Sequence, residues 1–430
     1  MVIRRQDDIP LAQTSVKGSS IRFGKKKGTN TYILFLSQIV TFVLFLVNIM
    51  NYRKFGKLDW KVSALGFGAM RLPVIGGDSK NIDQTEAIKM IRHSIDNGVN
   101  YVDTAYPYHD GESEKLVGKA LKDGYREKIR LATKMPTWLV KEYSDFDKYL
   151  NEQLERLDTT HIDYYLLHAL NAKIWPVIKD LEVLKWAERA IADGKIKYLG
   201  FSFHDEYEAF EQILEDSEHF TFCQIQLNYM DIEYQAGLKG LKLAAEKGLA
   251  VIIMEPIKGG KLAVTPPKDV QDVWERSEVK RTPADWALQW VWNLPEVSVV
   301  LSGMSEMRHV SENLVSASNS GPGTLNESEL ALIEEVKTVY LNLGFIGCTA
   351  CRYCMPCPNG VAIPDILGFY NEYSMSGEDK AVITKYWEKI TTESHSSNCV
   401  SCGVCESKCP QHLPIMKFMG ETQYLFKKSE

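Results

Sequence analysis

A chain of 430 residues is too long for one ordinary hydrophobic core, so two or more domains are expected. Its 45% hydrophobic and 25% charged residues are the proportions of a soluble globular protein. A formal net charge of −6, with no basic patch in the body of the chain, leaves no electrostatic footprint for nucleic acid and excludes it as an expected partner.

The first fifty residues stand apart. Residues 32–50 (YILFLSQIVTFVLFLVNIM) form a largely apolar run without a charge, long enough to span a bilayer. A signal peptide does not fit, because about thirty residues precede the run and no small-residue cleavage site follows it. Lys25, Lys26 and Lys27 precede it, and Arg53, Lys54, Lys57 and Lys61 follow. That balance slightly favours a cytoplasmic N-terminus, which would put the body of the chain outside the cell. Almost no linker separates Met50 from the next apolar run. Two readings stay open: translation starts at Met50 and residues 1–49 are not made, which is preferred, or the segment is a genuine membrane anchor.

From Val62 onward short apolar runs alternate with longer amphipathic segments. The runs read as strands: VSALGFGAM from Val62, VNYVDTA from Val99, KIRLATK from Lys128, IDYYLLH from Ile162, KIKYLGFS from Lys195, FCQIQL from Phe222, LAVIIME from Leu249 and VSVVLSGM from Val297. Between them Asp83 can cap a helix that Gly98 closes, Ser144 begins another, and Gly194 and Gly248 end two more. Eight strands alternating with helices predict an α/β fold with a parallel sheet, and eight is the number that closes a (β/α)8 TIM barrel. A doubly wound open sheet is the rival, but GFGAMRLPVIGG does not supply the G-x-G-x-x-G turn it would want after its first strand. After the helix pattern NESELALIEEVKTVYL the composition shifts to cysteine, proline and glycine. The expected domains are therefore an extension over 1–50, a barrel over 51–343 and a small α-rich ferredoxin-like module over 344–430.

Of nine cysteines, Cys223 stands alone on a strand and reads as a small buried hydrophobe. Cys399, Cys402, Cys405 and Cys409, followed by Pro410, form C-x2-C-x2-C-x3-C-P, the bacterial ferredoxin run for iron–sulfur clusters. Structural zinc is disfavoured, since it uses separated C-x2-C pairs. Cys348, Cys351, Cys354 and Cys357 make an earlier run that is one residue shorter at its last gap. By analogy with two-cluster ferredoxins, Cys348, Cys351 and Cys354 pair with Cys409, and Cys399, Cys402 and Cys405 with Cys357. Two 4Fe–4S clusters are the first choice, with a single cluster on the later run as the fallback. Thiolate ligation implies a reducing compartment, hence the cytoplasm.

Six segments, in order and each at a predicted strand end, resemble the aldo/keto reductase family: YRKFGKLDWKVSALGFGAMRLP, DTAYPYHDGESE, LATKMP, YYLLH, YLGFSFH and GMSEMRHVSEN. The resemblance covers about residues 50–313. It implies an NAD(P)H-dependent oxidoreductase that reduces a small carbonyl substrate, with a catalytic tetrad of Asp103, Tyr108, Lys134 and His168. The chemistry fits those residue types. Carbonyl reduction needs a proton donor for the oxygen that becomes anionic, an ammonium beside tyrosine should lower its pKa, a carboxylate holds that ammonium, and a histidine donor positions the carbonyl.

By the same resemblance Ser202 and Gln224 hold the nicotinamide carboxamide, and Ser305, His309, Glu312 and Asn313 the adenosine. Met254 stands where many members place an aromatic ring against the nicotinamide. NADP against NAD stays open, with a lean to NADP from family habit. Trp138 is the one residue after Lys134 that reads as a pocket wall. The clusters pass electrons to a partner such as a flavoprotein, sense redox state, or brace the module. A slow redox-sensing protein and a membrane-associated electron-transfer component are the alternative functions.

Overall fold

Two antiparallel strands, β1 (Tyr52–Phe55) and β2 (Leu58–Ser63), open the folded body of the protein, ahead of eight parallel ones. The parallel strands are β3 (Leu65–Gly68), β4 (Tyr101–Asp103), β5 (Arg130–Met135), β6 (Ile162–Leu170), β7 (Ile196–Phe203), β8 (Phe222–Gln226), β9 (Ala250–Met254) and β10 (Val297–Ser302). Each pairs with the next, and β10 also pairs with β3, so the sheet closes as a TIM-type barrel. The computed structural model describes residues 50–215, 218–344, 346–375 and 380–427. The apolar run 32–50, apart from Met50, lies outside them. Met50 itself is packed in the barrel core. No helix among the described residues is long and apolar enough to cross a membrane.

All eight runs read as strands lie in this barrel, but the first divides. Val62 and Ser63 belong to β2, and β3 starts at Leu65. The chain turns there because Ser63 is held on both sides: its N–H donates to Asn100 Oδ1 at 2.8 Å and its hydroxyl to Leu65 O at 2.7 Å.

The β1–β2 hairpin plugs the N-terminal end of the barrel. At its tip Gly56 has φ +54, and a Cβ there would lie 2.5 Å from the Ala250 nitrogen at the start of β9. Glycine alone lets the hairpin seat that closely. Behind it the Phe55 ring packs 6.2, 4.6 and 5.9 Å from the rings of Tyr101, Tyr164 and Phe222. Those three come from β4, β6 and β8, alternate strands filling one layer as a packed barrel requires.

The helix signals act as expected at most positions. Asp83 accepts the Glu86 N–H at 3.1 Å and starts the helix Gln84–Asp96. Gly98, Gly194 and Gly248 take φ of +97, +73 and +81 at the helix-to-strand turns. The helix read from Ser144 starts one residue earlier, at Tyr143. Its first turn is held by the Asp145 carboxylate, which accepts the N–H groups of Lys141 and Glu142 at 2.8 and 3.2 Å.

After the helix Glu327–Asn342 the chain builds a second, smaller core from helices Ile363–Met375, Lys380–Lys389, Val404–Ser407 and Ile415–Leu425. Ile346, Val361, Ile366, Leu367, Tyr386 and Phe426 are buried in it. This helical module docks on the C-terminal ends of the barrel strands. Gln226 and Gln411 exchange side-chain amide bonds at 3.1 and 2.7 Å, and the Tyr234 hydroxyl donates to Pro410 O at 2.8 Å. Arg71, just past β3, donates to Thr349 O at 2.7 Å. Gly259 takes φ +65, where a Cβ would lie 2.3 Å from that same Thr349 oxygen.

Removing the plug tests how much it contributes to closure. Phe55→Ala should destabilise the body of the protein by about 3–5 kcal/mol through lost burial and a residual cavity, read as a lower urea midpoint. An unchanged midpoint would mean the hairpin contributes nothing to the barrel.

Candidate functional site

A cavity of about 740 Å3 opens at the C-terminal ends of the strands, the face where barrel folds assemble sites from strand ends and the loops after them. Its floor is built around a buried ammonium. Lys134, near the end of β5, is fully buried, and its Nζ lies 2.6 Å from Asp103 Oδ1, 2.8 Å from Thr104 O and 3.2 Å from the Tyr108 hydroxyl. An ammonium has three hydrogens and no lone pair, so each hydrogen has one acceptor. The Tyr108 oxygen is thus a recipient of the lysine proton bond, which leaves the tyrosine's own O–H free to donate elsewhere. Burial pushes the Asp103 carboxyl up and the Lys134 ammonium down, and each opposes the other's shift as its counter-ion.

The ammonium does not bring Tyr108 below the ordinary phenol range, as its proximity alone suggested. Burial first, then the carboxylates of Asp103 and Glu255, hold the phenol well above that range, with Arg71 pulling weakly the other way. His168, near the end of β6, has its ring 6.1 Å from the Tyr108 ring, edge-on. Burial and the Lys134 charge hold its pKa well below the ordinary value, so it is a neutral imidazole. Trp138 stacks at a tilt 5.1 Å from the His168 ring.

The seven remaining positions picked from the sequence line the same cavity: Ser202, Gln224, Met254, Ser305, His309, Glu312 and Asn313. Ser202 and Gln224 are register partners on β7 and β8. Ser202 Oγ accepts the Ala169 N–H at 2.8 Å, which leaves its own O–H to donate, and Gln224 Nε2 points at Met254 Sδ at 3.6 Å. Gln224 Oε1, Asp103 Oδ2 and His168 Nδ1 are buried without a hydrogen-bond partner among the described residues. Buried polar atoms are rarely left so, and an orphaned amide oxygen fits a ligand that brings an N–H, such as a carboxamide. Asn313 Nδ2 donates to Ser302 Oγ at 3.0 Å.

Sequence reasoning missed part of the wall. Arg71 and Glu255 face the cavity, with Arg71 Nη2 3.6 Å from Glu255 Oε1. Glu255 follows β9 directly and holds φ +55, a strained conformation for a side-chain-bearing residue. The rule that strand-end residues build barrel sites could have found both. Thr349, Cys351, Tyr353, Pro410 and Gln411 of the helical module also line the cavity, and no local pattern announces that.

The eight clustered cysteines fall into two sets. Cys348, Cys351, Cys354 and Cys409 surround one small cavity, walled by Leu367, Leu413 and Ile415. Cys357, Cys399, Cys402 and Cys405 surround another, walled by Val361, Ile363 and Met419. These are the two pairings the ferredoxin analogy implied, the shorter gap before Cys357 notwithstanding. Burial pushes the thiols of Cys351 and Cys354 up to about 11 and about 12. No three His, Cys, Asp or Glu side chains among the described residues converge on a point as ligands of a single ion do. Each set offers four thiols round an apolar-walled space, a donor set that fits a multi-iron cluster. Cys223 is fully buried in the barrel core, away from both sets.

The model of the aldo/keto reductase family matches residues 64–337, and that of a 4Fe-4S dicluster domain matches residues 347–413. Among curated relatives, a probable aldo-keto reductase 1 of Glycine max is 28% identical over 300 residues, covering 61% of this chain and 82% of its own. The uncharacterized oxidoreductase YrpG of Bacillus subtilis is 27% identical over 235 residues, 50% of this chain and 68% of its own. The holo form of aldo-keto reductase AKR11C1 from Bacillus halodurans superposes with a TM-score of 0.55 at 27% identity, covering 67% of this chain and 96% of that one. An aldo-keto reductase from Klebsiella pneumoniae in complex with NADPH superposes with a TM-score of 0.54 at 23% identity, covering 67% and 95%.

Proposed function

The chain belongs to the aldo/keto reductase family, and on that premise we propose that it reduces a small carbonyl compound using NADPH while its dicluster domain holds two 4Fe–4S clusters. The observation that carries the first part is the Lys134 ammonium, whose three hydrogens go to Asp103, Thr104 and Tyr108. When bound, the nicotinamide supplies the hydride and the clusters supply one-electron redox chemistry. Everything else falls to the protein. Tyr108 donates its proton to the carbonyl oxygen, a transfer that orients the substrate and neutralises the charge developing on it. Lys134 stabilises the tyrosinate left behind, and Asp103 keeps Lys134 charged and in line. His168, as a neutral imidazole, can donate one hydrogen bond to the same oxygen without carrying a charge into the pocket. The module sits over the strand ends and supplies part of the cavity wall beside these groups.

Gln224 and Ser202 are the residues for the carboxamide, and Ser305, His309, Glu312 and Asn313 those for the adenosine. The preference for NADPH over NADH draws on the Klebsiella pneumoniae relative, which carries NADPH, and on Arg308, which lines the cavity beside His309. Arg308 is partly matched by Glu312 at 3.4 Å and Glu306 at 3.9 Å, so a 2′-phosphate would compete with two carboxylates for it. For the clusters, the proposed ligands are Cys348, Cys351, Cys354 and Cys409 for one and Cys357, Cys399, Cys402 and Cys405 for the other. Cys351 borders the main cavity as well as its own, while Cys402 is exposed and its neighbour Val400 is 65% exposed. The first cluster would thus adjoin the active site and the second the surface, where a redox partner such as a flavoprotein can reach it. Thiolate ligation by these eight cysteines suits the reducing cytoplasm.

Tyr108→Phe should cut carbonyl reduction by at least ~100-fold, the usual contribution of a positioned general acid, while NADPH still quenches protein fluorescence with wild-type affinity. Turnover near wild type would remove Tyr108 as the donor. The raised phenol pKa also sets a pH dependence. Reduction needs the protonated phenol, which persists at every pH below that raised value. Its rate should therefore stay flat between about pH 6 and 8, where an ordinary tyrosine is also protonated, and alcohol oxidation, which needs tyrosinate, should rise with pH.

Anaerobically purified protein should carry about eight irons and about eight acid-labile sulfides per chain. Cys402→Ser should lose about half of that iron and leave cofactor binding intact. Four irons in the wild type would mean one cluster, and zinc in their place would overturn the cluster reading.

A further inference from the structure

The cavity around Tyr108 and His168 is not made by the barrel alone, and one residue of the helical module enters it with unspent chemistry. Tyr353 lies on the short loop between Cys351 and Cys354, two thiols of the same set. Its ring is half-buried, and the cavity it lines is the one that holds Tyr108, Lys134 and His168. Asp103, Tyr108 and Glu255 line that cavity with it, so its side chain borders the space between them. Its hydroxyl makes no hydrogen bond among the described residues. The contrast with Tyr234 is direct: that residue, in the same interface, donates to Pro410 O at 2.8 Å. A phenol partly withdrawn from water keeps a strong incentive to find a partner. Arg71 and Glu255, also in this wall, make the surroundings polar.

We propose that Tyr353 determines substrate specificity by hydrogen-bonding a second oxygen of the carbonyl compound whose first oxygen meets Tyr108 and His168. The preferred substrates are then hydroxylated carbonyl compounds, and the loop that wraps the first cysteine set selects them. This rests on the carbonyl-reductase reading above. It assigns the module a part in recognition that is separate from electron transfer.

The test separates the two readings by measuring binding without turnover. Glycerol and propan-1-ol, unreactive stand-ins with and without additional oxygens, are titrated into cluster-loaded protein, with and without NADPH, and followed by saturation-transfer NMR. Wild type should bind glycerol more tightly than propan-1-ol. Tyr353→Phe, which removes one oxygen and keeps the ring, should weaken glycerol about three- to tenfold, the worth of one hydrogen bond. Propan-1-ol affinity should stay within about twofold and iron content should not change. In steady state the same variant should raise KM for glyceraldehyde with little change in kcat, and leave propanal unaffected. Equal glycerol affinity in the two proteins, equal loss for both alcohols, lost iron, or no glycerol preference in wild type would each overturn the assignment. Wild type that oxidises no NADPH with any carbonyl would sink the reductase reading, and the alcohol titrations would still decide the role of Tyr353.

Discussion

A lysine ammonium buried to zero exposure has to be given acceptors for all three of its hydrogens, and meeting that demand organises the strand ends of this barrel. Lys134 meets it with one carboxylate, one carbonyl and one phenol from the segment 103–108. Desolvating a charge costs several kcal/mol, and its partner returns that only with good geometry. Loss of either Asp103 or Lys134 alone would therefore leave a buried charge uncompensated, so β4 and β5 must stay in register. A second layer locks β5 from behind. Gln153 donates to Lys134 O at 3.0 Å and to Glu114 Oε1 at 2.6 Å, Thr133 donates to Glu114 at 2.6 Å, and Tyr165 donates to Gln153 Oε1 at 2.6 Å. Arg156 stands 3.2 Å from Glu114 and offsets its charge. The site is thus held by packed polar groups on strands and helices, and little of it depends on loop flexibility.

The same strand ends carry a second constraint, the helical module seated on them. Its anchors are mostly backbone oxygens: Thr349 O takes Arg71, and Pro410 O takes Tyr234 and Gln235. Both oxygens lie next to cysteines of the first set, Cys348 and Cys409. Whatever orders that set therefore also orders the anchors and the wall they form. Gly259 shows how tight the seat is, since any side chain there would strike Thr349. The loops that surround the first set of thiols also border the cavity that holds Tyr108, with Thr349, Cys351, Pro410 and Gln411 lining both spaces.

Much of this was legible in the chain. Short apolar runs between helix caps marked all eight barrel strands, because a strand buried on both faces has to be apolar throughout and a helix-to-strand turn has to supply a left-handed residue such as Gly194 or Gly248. What blurred was local. The run from Val62 holds a turn at Ala64 that apolar character alone does not mark, and the hairpin β1–β2 was hidden inside the opening segment because most of its residues are exposed or half-buried and form no apolar run. The four residues Asp103, Tyr108, Lys134 and His168 stood at strand ends in the sequence, and they stand together in one cavity in the fold.

By itself the sequence determined what depends on spacing: the number of barrel strands, the helix stops, the iron–sulfur character of the cysteine runs and the resemblance that groups the tetrad. Only the tertiary structure decided what depends on burial and on contact between distant segments. Burial first, then the carboxylates of Asp103 and Glu255, hold the Tyr108 phenol well above its ordinary range. Tyr353, far along the chain from Tyr108, comes to line the same cavity because the module folds back over the strand ends. No run of residues records that approach, for it arises from the fit between two separately formed cores, and packing of that kind is a property of surfaces brought together in space.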